Sequence, residues 1–224
     1  IFGDEYIKFL KEKYGIPYAV TNMPIGTRST NRWLRAIAHL AGKEKEAEEF
    51  IASESAAVAD EIARIKEKTD GLRACLTAGT GRGFAAATLI GDYGMKLLCM
   101  HTPYYDEAYI YDFKRLEELH GSDFLVNIAD MQPYEQVNLL KKFKPDVFIG
   151  MSNWVSRLGI PSLHILDSKR PTFGYRGVLY LGRKIEDALD NNNFNKNLSR
   201  FSKNAYREEW YEKDAFSYLQ MPED

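Results

Sequence analysis

Residues 71–102 read GLRACLTAGTGRGFAAATLIGDYGMKLLCMHT. A short apolar run, Ala74–Ala78, is followed by Gly79-Thr80-Gly81-Arg82-Gly83. A helix-period segment, Phe84–Tyr93, comes next, and then a second apolar run, Leu97–Met100. Apolar runs of four or five residues are too short for buried helices. A glycine-rich turn that opens a helix and returns to another such run marks a strand–helix–strand unit. Two strands joined through a helix are parallel, and a parallel sheet needs helices on both faces.

The same alternation continues outward. Phe124–Ile128 and Val147–Ile149 are further apolar runs, with helix-period segments at Asp106–Leu119 and Pro133–Phe143 between them. Leu163–Leu166 reads as another strand and Gly177–Leu189 as a final helix, stopped by Asn191-Asn192-Asn193. The expected fold class is therefore α/β, a parallel sheet flanked by helices. Upstream, residues 1–14 read as an amphipathic helix ended by Gly15, and Pro17–Val20 as a short strand. A helix follows with Leu34, Ile37 and Ala41 on one face, and then a long charged helix over Lys43–Thr69 with Ile51, Val58, Ile62 and Ile65 on its buried stripe. The expected division is 1–70 as the end of a preceding domain with connecting helices, 71–190 as the α/β domain, and 191–224 as a tail. Seven aromatics in that tail, from Phe194 to Tyr218, are too many for disorder, so it is expected to pack on the domain or on a partner.

Composition narrows the function. The chain has 224 residues, 45% hydrophobic and 28% charged, with formal net charge −2. There is no basic stripe of the kind nucleic-acid binders carry. No apolar run spans a membrane and no signal-peptide pattern opens the chain, so neither nucleic acid nor membrane is an expected partner. Two cysteines cannot build a disulfide framework, which fits a reducing, cytoplasmic setting. The chain opens at Ile1 inside a helical pattern, as expected of a piece cut from a longer protein.

Two residues stand out as candidates. Arg82 sits in the glycine turn, where it either reaches into the crevice at the carboxyl ends of the strands or is a solvated arginine. The spacing is GxGxG and no acidic residue closes the second strand, so the dinucleotide fingerprint is incomplete. His164 lies near the end of the last strand, either as a ligand or as a hydrogen-bonded, half-buried histidine. His101 follows the second strand and borders the same crevice. Cys75 and Cys99 lie on strands that neighbour one another if the sheet is parallel, and read as small buried hydrophobes.

Several motifs, in order, carry a resemblance. They are Lys11-Glu12-Lys13-Tyr14-Gly15-Ile16-Pro17, Thr30 with Trp33-Leu34-Arg35-Ala36-Ile37-Ala38, and Gly91-Asp92-Tyr93-Gly94-Met95. Further along stand Lys144-Pro145-Asp146-Val147-Phe148-Ile149-Gly150, Leu158-Gly159-Ile160-Pro161, Phe173-Gly174-Tyr175-Arg176-Gly177 and Glu208-Glu209-Trp210-Tyr211. In this order and spacing the chain resembles the α-chain type of the nitrogenase component 1 oxidoreductases. That family also holds cofactor-assembly scaffolds and chlorophyll-precursor reductases.

The resemblance implies Rossmann-like domains, of which this chain would carry the end of the second and the complete third. It implies an iron–sulfur or molybdenum–iron-type cluster in the full-length parent, with His164 at the position of a metal ligand and Arg82 at that of an arginine facing the same cofactor. It also implies nitrogen fixation or related redox chemistry, with a β-type component 1 subunit and an ATP-dependent iron–sulfur reductase as partners. The pattern departs from the family in two places. The cofactor cysteine would fall about one residue before Ile1, and the segment Gly150–Arg157 is shorter than its counterpart and lacks its lysine. One histidine does not retain a cluster that needs several thiolates, so the fragment alone is expected to hold no cluster and to be inactive. The alternatives are a non-catalytic scaffold for cofactor assembly or tetrapyrrole binding, and a nucleotide-binding α/β enzyme.

Overall fold

The structure is a computed structural model that describes residues 4–77, 79–105, 109–129, 132–150, 152, 154–167, 169–203 and 206–212. Its centre is a five-stranded, all-parallel sheet formed by β1 (Arg73–Thr77), β2 (Lys96–Thr102), β3 (Leu125–Ile128), β4 (Val147–Gly150) and β5 (Ser162–Leu163). The spatial order is β3-β2-β1-β4-β5. The chain therefore grows one way from β1 to β3, then returns to the other side of β1 for β4 and β5.

Residue alternation on these strands explains the layers. Ala74, Leu76, Val147 and Ile149 face one side, where α4 (Thr80–Asp92), α5 (Ile110–His120) and α7 (Gly174–Asp190) cover them in the larger core. Cys75, Cys99 and Phe148 face the other side. There they meet Leu139 and Leu140 of α6 (Pro133–Phe143) and Val155 of a 3₁₀ turn, Val155–Leu158. Helices α2 (Thr27–Ala41) and α3 (Glu44–Thr69) form a further layer against α4 and α7, and α1 (Asp4–Tyr14) precedes them. The last elements among the described residues are two short helices, α8 (Asn193–Phe201) and α9 (Glu208–Tyr211).

Several expectations shift. Pro17–Val20 is not a strand: residues 15–23 form no regular element, and Val20 is exposed with no strand beside it to complete its backbone hydrogen bonds. Helix α7 starts one turn before Gly177, where the Gly174 N–H is held by the Pro24 carbonyl at 2.8 Å. The last strand is only Ser162–Leu163, because the backbone turns at His164. His101 lies inside β2, not after it. The expected start of the helix at Asp106 and the aromatics Phe216 and Tyr218 lie outside the described residues.

Helix α2 has no cap from its own Gly26. One of its orphan donors is satisfied from the far end of α4: Asp92 accepts the Thr27 N–H at 2.6 Å through Oδ2, and also the Thr27 hydroxyl at 2.7 Å through Oδ1. Asp92→Ala removes both acceptors, and about 1–2 kcal/mol of stability is expected to go with them. Urea denaturation at neutral pH measures it, and an unchanged midpoint would rule out this cap. Next to Asp92, the buried Tyr93 hydroxyl donates to the Val178 carbonyl at 2.7 Å, tying α4 to α7. Gly182 makes that approach possible, since a Cβ there would sit 2.3 Å from the same hydroxyl oxygen. Among the described residues no helix is long and apolar enough to cross a membrane.

Candidate functional site at the carboxyl edge of the sheet

In a parallel sheet every strand ends at the same edge, and the loops there can converge. Between β1 and β4 the direction of growth reverses, so α4 after β1 and the 3₁₀ turn after β4 pack on opposite faces, and this is the position where α/β sheets commonly take ligands. Gly150 holds those two strand ends together. It has φ +133°, and a Cβ at this position would lie 1.9 Å from the Thr77 carbonyl oxygen. Behind the same edge, Gln136 of α6 donates to the Thr77 hydroxyl at 3.2 Å and accepts from the Ser152 hydroxyl at 2.6 Å. The loop after β4 is thereby pinned to β1.

Arg82 belongs to the first turn of α4, not to a loop before it. The Arg82 and Gly83 N–H groups both donate to the Gly79 carbonyl, at 3.0 and 2.8 Å, so the turn closes on itself at Gly79. Gly79 and Gly81 are not in the left-handed region, so no backbone conformation here requires glycine. A Cβ on either would meet nothing within 4 Å, so their effect is to leave open space in front of an uncapped helix N-terminus. Two residues on, Phe84 is buried and stacks on Tyr109 at 5.1 Å and edge-on to Phe113 at 4.8 Å, which anchors the turn. The Arg82 Nε is buried and has no hydrogen-bond partner among the described residues. A buried guanidinium donor without an acceptor is costly, and an anion arriving at this edge would supply one.

His164 is half-buried at the point where β5 stops. Its Nδ1 lies 3.0 Å from the Leu166 nitrogen and 3.1 Å from the Leu166 carbonyl oxygen. Two tautomers fit this turn. If Nδ1 accepts the Leu166 N–H, Nε2 carries the proton and is a donor. If Nδ1–H donates to the carbonyl, the Nε2 lone pair is free to ligate, which is the arrangement metal-bound histidines use. The loop beyond is braced by Asp167, which accepts from the Tyr180 hydroxyl and, at 2.8 Å, from the Lys169 N–H. Those hydrogen bonds, the Tyr180 one foremost, hold the Asp167 carboxyl below its ordinary range. Lys184 stands 3.9 Å from the same carboxylate, and Arg170 lies over the Tyr180 ring at 5.5 Å. Lys169, Arg170 and Lys184 outnumber Asp167, so the surroundings of His164 favour an anion. None of these residues was singled out from the sequence. The Asp167–Tyr180 pair spans 13 positions across a loop and a helix start, and no local pattern announces it.

Arg82 follows β1 and His164 follows β5, with β4 between them, so their strands stand two sheet spacings apart, roughly 10 Å. The sheet brings the two residues to one edge, yet no hydrogen bond joins them. The other sequence candidates lie elsewhere. A register shift at Ala74/Cys75 sets Cys75 opposite Cys99 on neighbouring strands, both fully buried on the α6 face. The hydrogen bond that Cys99 donates to its neighbour Cys75, with burial second, pushes the Cys99 thiol well above its usual range, so Cys99 is a thiol and not a thiolate ligand. His101 is buried on the same face, with Nε2 3.7 Å from Cys99 Sγ and Nδ1 3.1 Å from Asn127 Nδ2. Burial pushes its pKa down to about 4, so it is neutral and structural. It faces the packed interior and does not border the crevice.

The donor set can be weighed against a metal cluster. Among the described residues no group of three or more His, Cys, Asp or Glu side chains is placed to hold a metal ion. What the edge offers is one imidazole, one orphaned guanidinium and open space before a helix N-terminus. These fit as contacts to a larger anionic group and do not form a complete cage.

Known proteins supply the frame for this geometry. The family described as nitrogenase component 1 type oxidoreductase matches residues 2–190. The nitrogenase iron-molybdenum cofactor biosynthesis protein NifE of Methanococcus maripaludis is 28% identical over 187 residues, covering 80% of this chain and 38% of that protein. The nitrogenase molybdenum-iron protein alpha chain of Methanococcus maripaludis is 26% identical over 189 residues, covering 82% and 39%. A solved structure described as nitrogenase Cp1 at pH 6.5 superposes with a TM-score of 0.69 over 91% of this chain and 49% of that one. At 21% identity that likeness speaks for the fold alone. The chain spans about two-fifths of the length of the curated relatives it matches. With a match across 2–190 that takes in the glycine turn, the five strands and the His164 loop, this chain belongs to the nitrogenase component 1 type oxidoreductase family.

Proposed function

We propose that this chain forms one wall of the metal-cofactor site of a component 1 α-type subunit, contributing His164 as a ligand and Arg82 as a donor to an iron–sulfur or molybdenum–iron-type cluster. The observation that carries the reading is the buried, unpartnered Arg82 Nε at the carboxyl edge of the sheet, before open space at Gly79 and Gly81. When bound, the cluster supplies multi-electron redox chemistry. The chain's own residues bind and orient. Of the two His164 tautomers this reading takes the one in which Nδ1–H donates to the Leu166 carbonyl, Arg82 donates to an anionic acceptor, and the cationic loop braced by Asp167 offsets negative charge. The thiolates the cluster requires come from outside the described residues. In this reading a β-type component 1 subunit and an ATP-dependent iron–sulfur reductase are the partners, and the setting is cytoplasmic.

A scaffold for cofactor assembly is the second reading. It is favoured by the short segment Gly150–Arg157 and by the likeness to a cofactor biosynthesis protein. The two readings differ in whether the cluster is retained and turned over, or passed on.

The test is metal analysis and electron paramagnetic resonance on the anaerobically purified subunit containing this chain, as wild type, His164→Ala and Arg82→Ala. Circular dichroism checks the fold of each variant. His164→Ala is expected to lose or reshape the cluster signal, and Arg82→Ala to keep the metal while shifting the signal. A wild type without iron, or spectra indifferent to both changes, would sink the proposal. A signal that passes to an added acceptor protein would favour the scaffold.

A further inference from the structure

On the opposite face of the sheet from Arg82 lies a cavity of about 290 Å³, open to solvent on one side and lined from α6, the 3₁₀ turn Val155–Leu158, the end of α8 and α9. Its charge is unbalanced. Lys141, Arg157 and Lys203 line it against a single carboxylate, Glu208. Lys141 is already engaged: its Nζ lies 2.8 Å from Glu208 Oε2 and 3.8 Å from the centre of the Tyr211 ring. Arg157 has no carboxylate within ion-pair distance among the described residues. Its guanidinium lies 4.9 Å over the Trp154 ring, which orients the planar fork. Lys203 likewise has no carboxylate partner among the described residues. Two positive charges therefore face the cavity without compensation.

The rest of the lining is mixed. Ser199 and Ser202 add hydroxyl groups, and Val137 with Leu158 forms an apolar wall. Besides the Lys141–Glu208 pair, which ties α9 to α6, the walls are fixed by hydrogen bonds that do not involve Arg157 or Lys203. Asn192 of the α7–α8 turn donates to the Gly159 carbonyl at 2.8 Å, and Asn195 of α8 donates to the Ile160 carbonyl at 2.7 Å. These hold α8 against the segment that carries Arg157. A preorganised concavity with an apolar wall and a few convergent polar groups is the common form of a small-molecule site, and this volume is at the small end of the range.

We propose that this cavity binds a small organic dianion, a phosphomonoester or a dicarboxylate, with its charged end between Arg157 and Lys203 and its apolar body against Val137 and Leu158. The fork geometry of Arg157 suits either anion bidentately, and Lys203 adds a point charge at the rim. This site is independent of the cofactor reading: it lies on the other face and shares no residue with it.

Isothermal titration of the 224-residue chain with phenyl phosphate and with succinate tests the proposal, with inorganic phosphate as control. The expected result is saturable one-to-one binding of one organic probe, tighter than inorganic phosphate. Arg157→Gln is expected to weaken it by about tenfold or more, the worth of a lost charged hydrogen bond. Lys203 is exposed, so Lys203→Gln tests the charge without disturbing the fold, and about a threefold weakening or more is expected. Thermal melts of both variants check that folding is intact. The probe that binds identifies the anion class. Absence of saturation with both probes, binding no tighter than inorganic phosphate, or affinities unchanged in both variants would each overturn the proposal.

Discussion

Gly150→Ala is expected to cost about 3–5 kcal/mol, a large part of the 5–15 kcal/mol that holds an ordinary domain together. Two effects add. The residue sits at φ +133°, where a side chain costs of order 1–3 kcal/mol in strain. The new Cβ would also fall 1.9 Å from the Thr77 carbonyl oxygen and 3.0 Å from the Thr77 nitrogen. Thr77 is its register partner on β1, so relief requires β4 to draw away from the centre of the sheet. In urea, with a slope of about 2–3 kcal/mol/M, the midpoint should fall by roughly 1–2 M. Gly42→Ala is the control. Gly42 also has positive φ, at +62°, but in the ordinary left-handed region and with open space around it, so it should lose only about 1 kcal/mol. Equal losses at the two glycines would show that the close approach of β4 to β1 is wrong.

Acid is expected to remove about 3 kcal/mol through His101 alone between pH 6.5 and pH 4. The folded chain holds this imidazole neutral, with its pKa pushed down to about 4 by burial. In the unfolded chain it binds a proton near pH 6.5, as free histidine does. A depressed folded pKa means that the stabilisation is fully present above the unfolded value and drains away as pH falls towards the folded one. Each unit of difference is worth about 1.4 kcal/mol. His120 is lowered by burial as well and acts in the same direction. Asp92, raised by burial, acts oppositely: its contribution is greatest at low pH and shrinks as pH rises through its folded value. Urea midpoints at pH 7 and pH 4.5 for wild type and His101→Gln separate these effects. The variant should start lower at pH 7, having lost the contact with Asn127, and fall much less on acidification. An equally steep fall in the variant would clear His101 of the effect.

The layered α/β architecture was legible because each strand announces itself. Ala74, Leu76, Val147 and Ile149 are apolar neighbours with glycines or charged residues at their ends, and the intervening segments carry helical spacing. Strand ends moved where long-range partners decide them: β2 reaches Thr102 because His101 and Thr102 pair with Asn127 and Ile128 on β3. The strand at Pro17–Val20 failed for the reverse reason, having good local propensity but no partner. At the candidate edge, the placement of Arg82 and His164 just beyond strand ends was readable from the sequence. The Asp167–Tyr180 brace and the cavity at Arg157 were not. The first joins residues on either side of a loop. The second assembles side chains from four segments spread between Val137 and Glu208, and no spacing rule connects them.

The order β3-β2-β1-β4-β5 also sets a timetable for the nascent chain. Strands β1, β2 and β3 can pair as soon as they emerge, but the far side of β1 waits for β4. From Thr102 to Gly150 is 48 residues by subtraction, a delay of roughly 2–10 s at about 5–20 residues per second of synthesis. Through that interval the backbone groups of Arg73–Thr77 present a bare edge, flanked by the apolar faces of Ala74, Cys75 and Leu76. Such an edge is a template for wrong pairing. A ribosome pause before residue 147, or a slow codon run there, would lengthen the exposure of the strand on which the rest of the sheet is built.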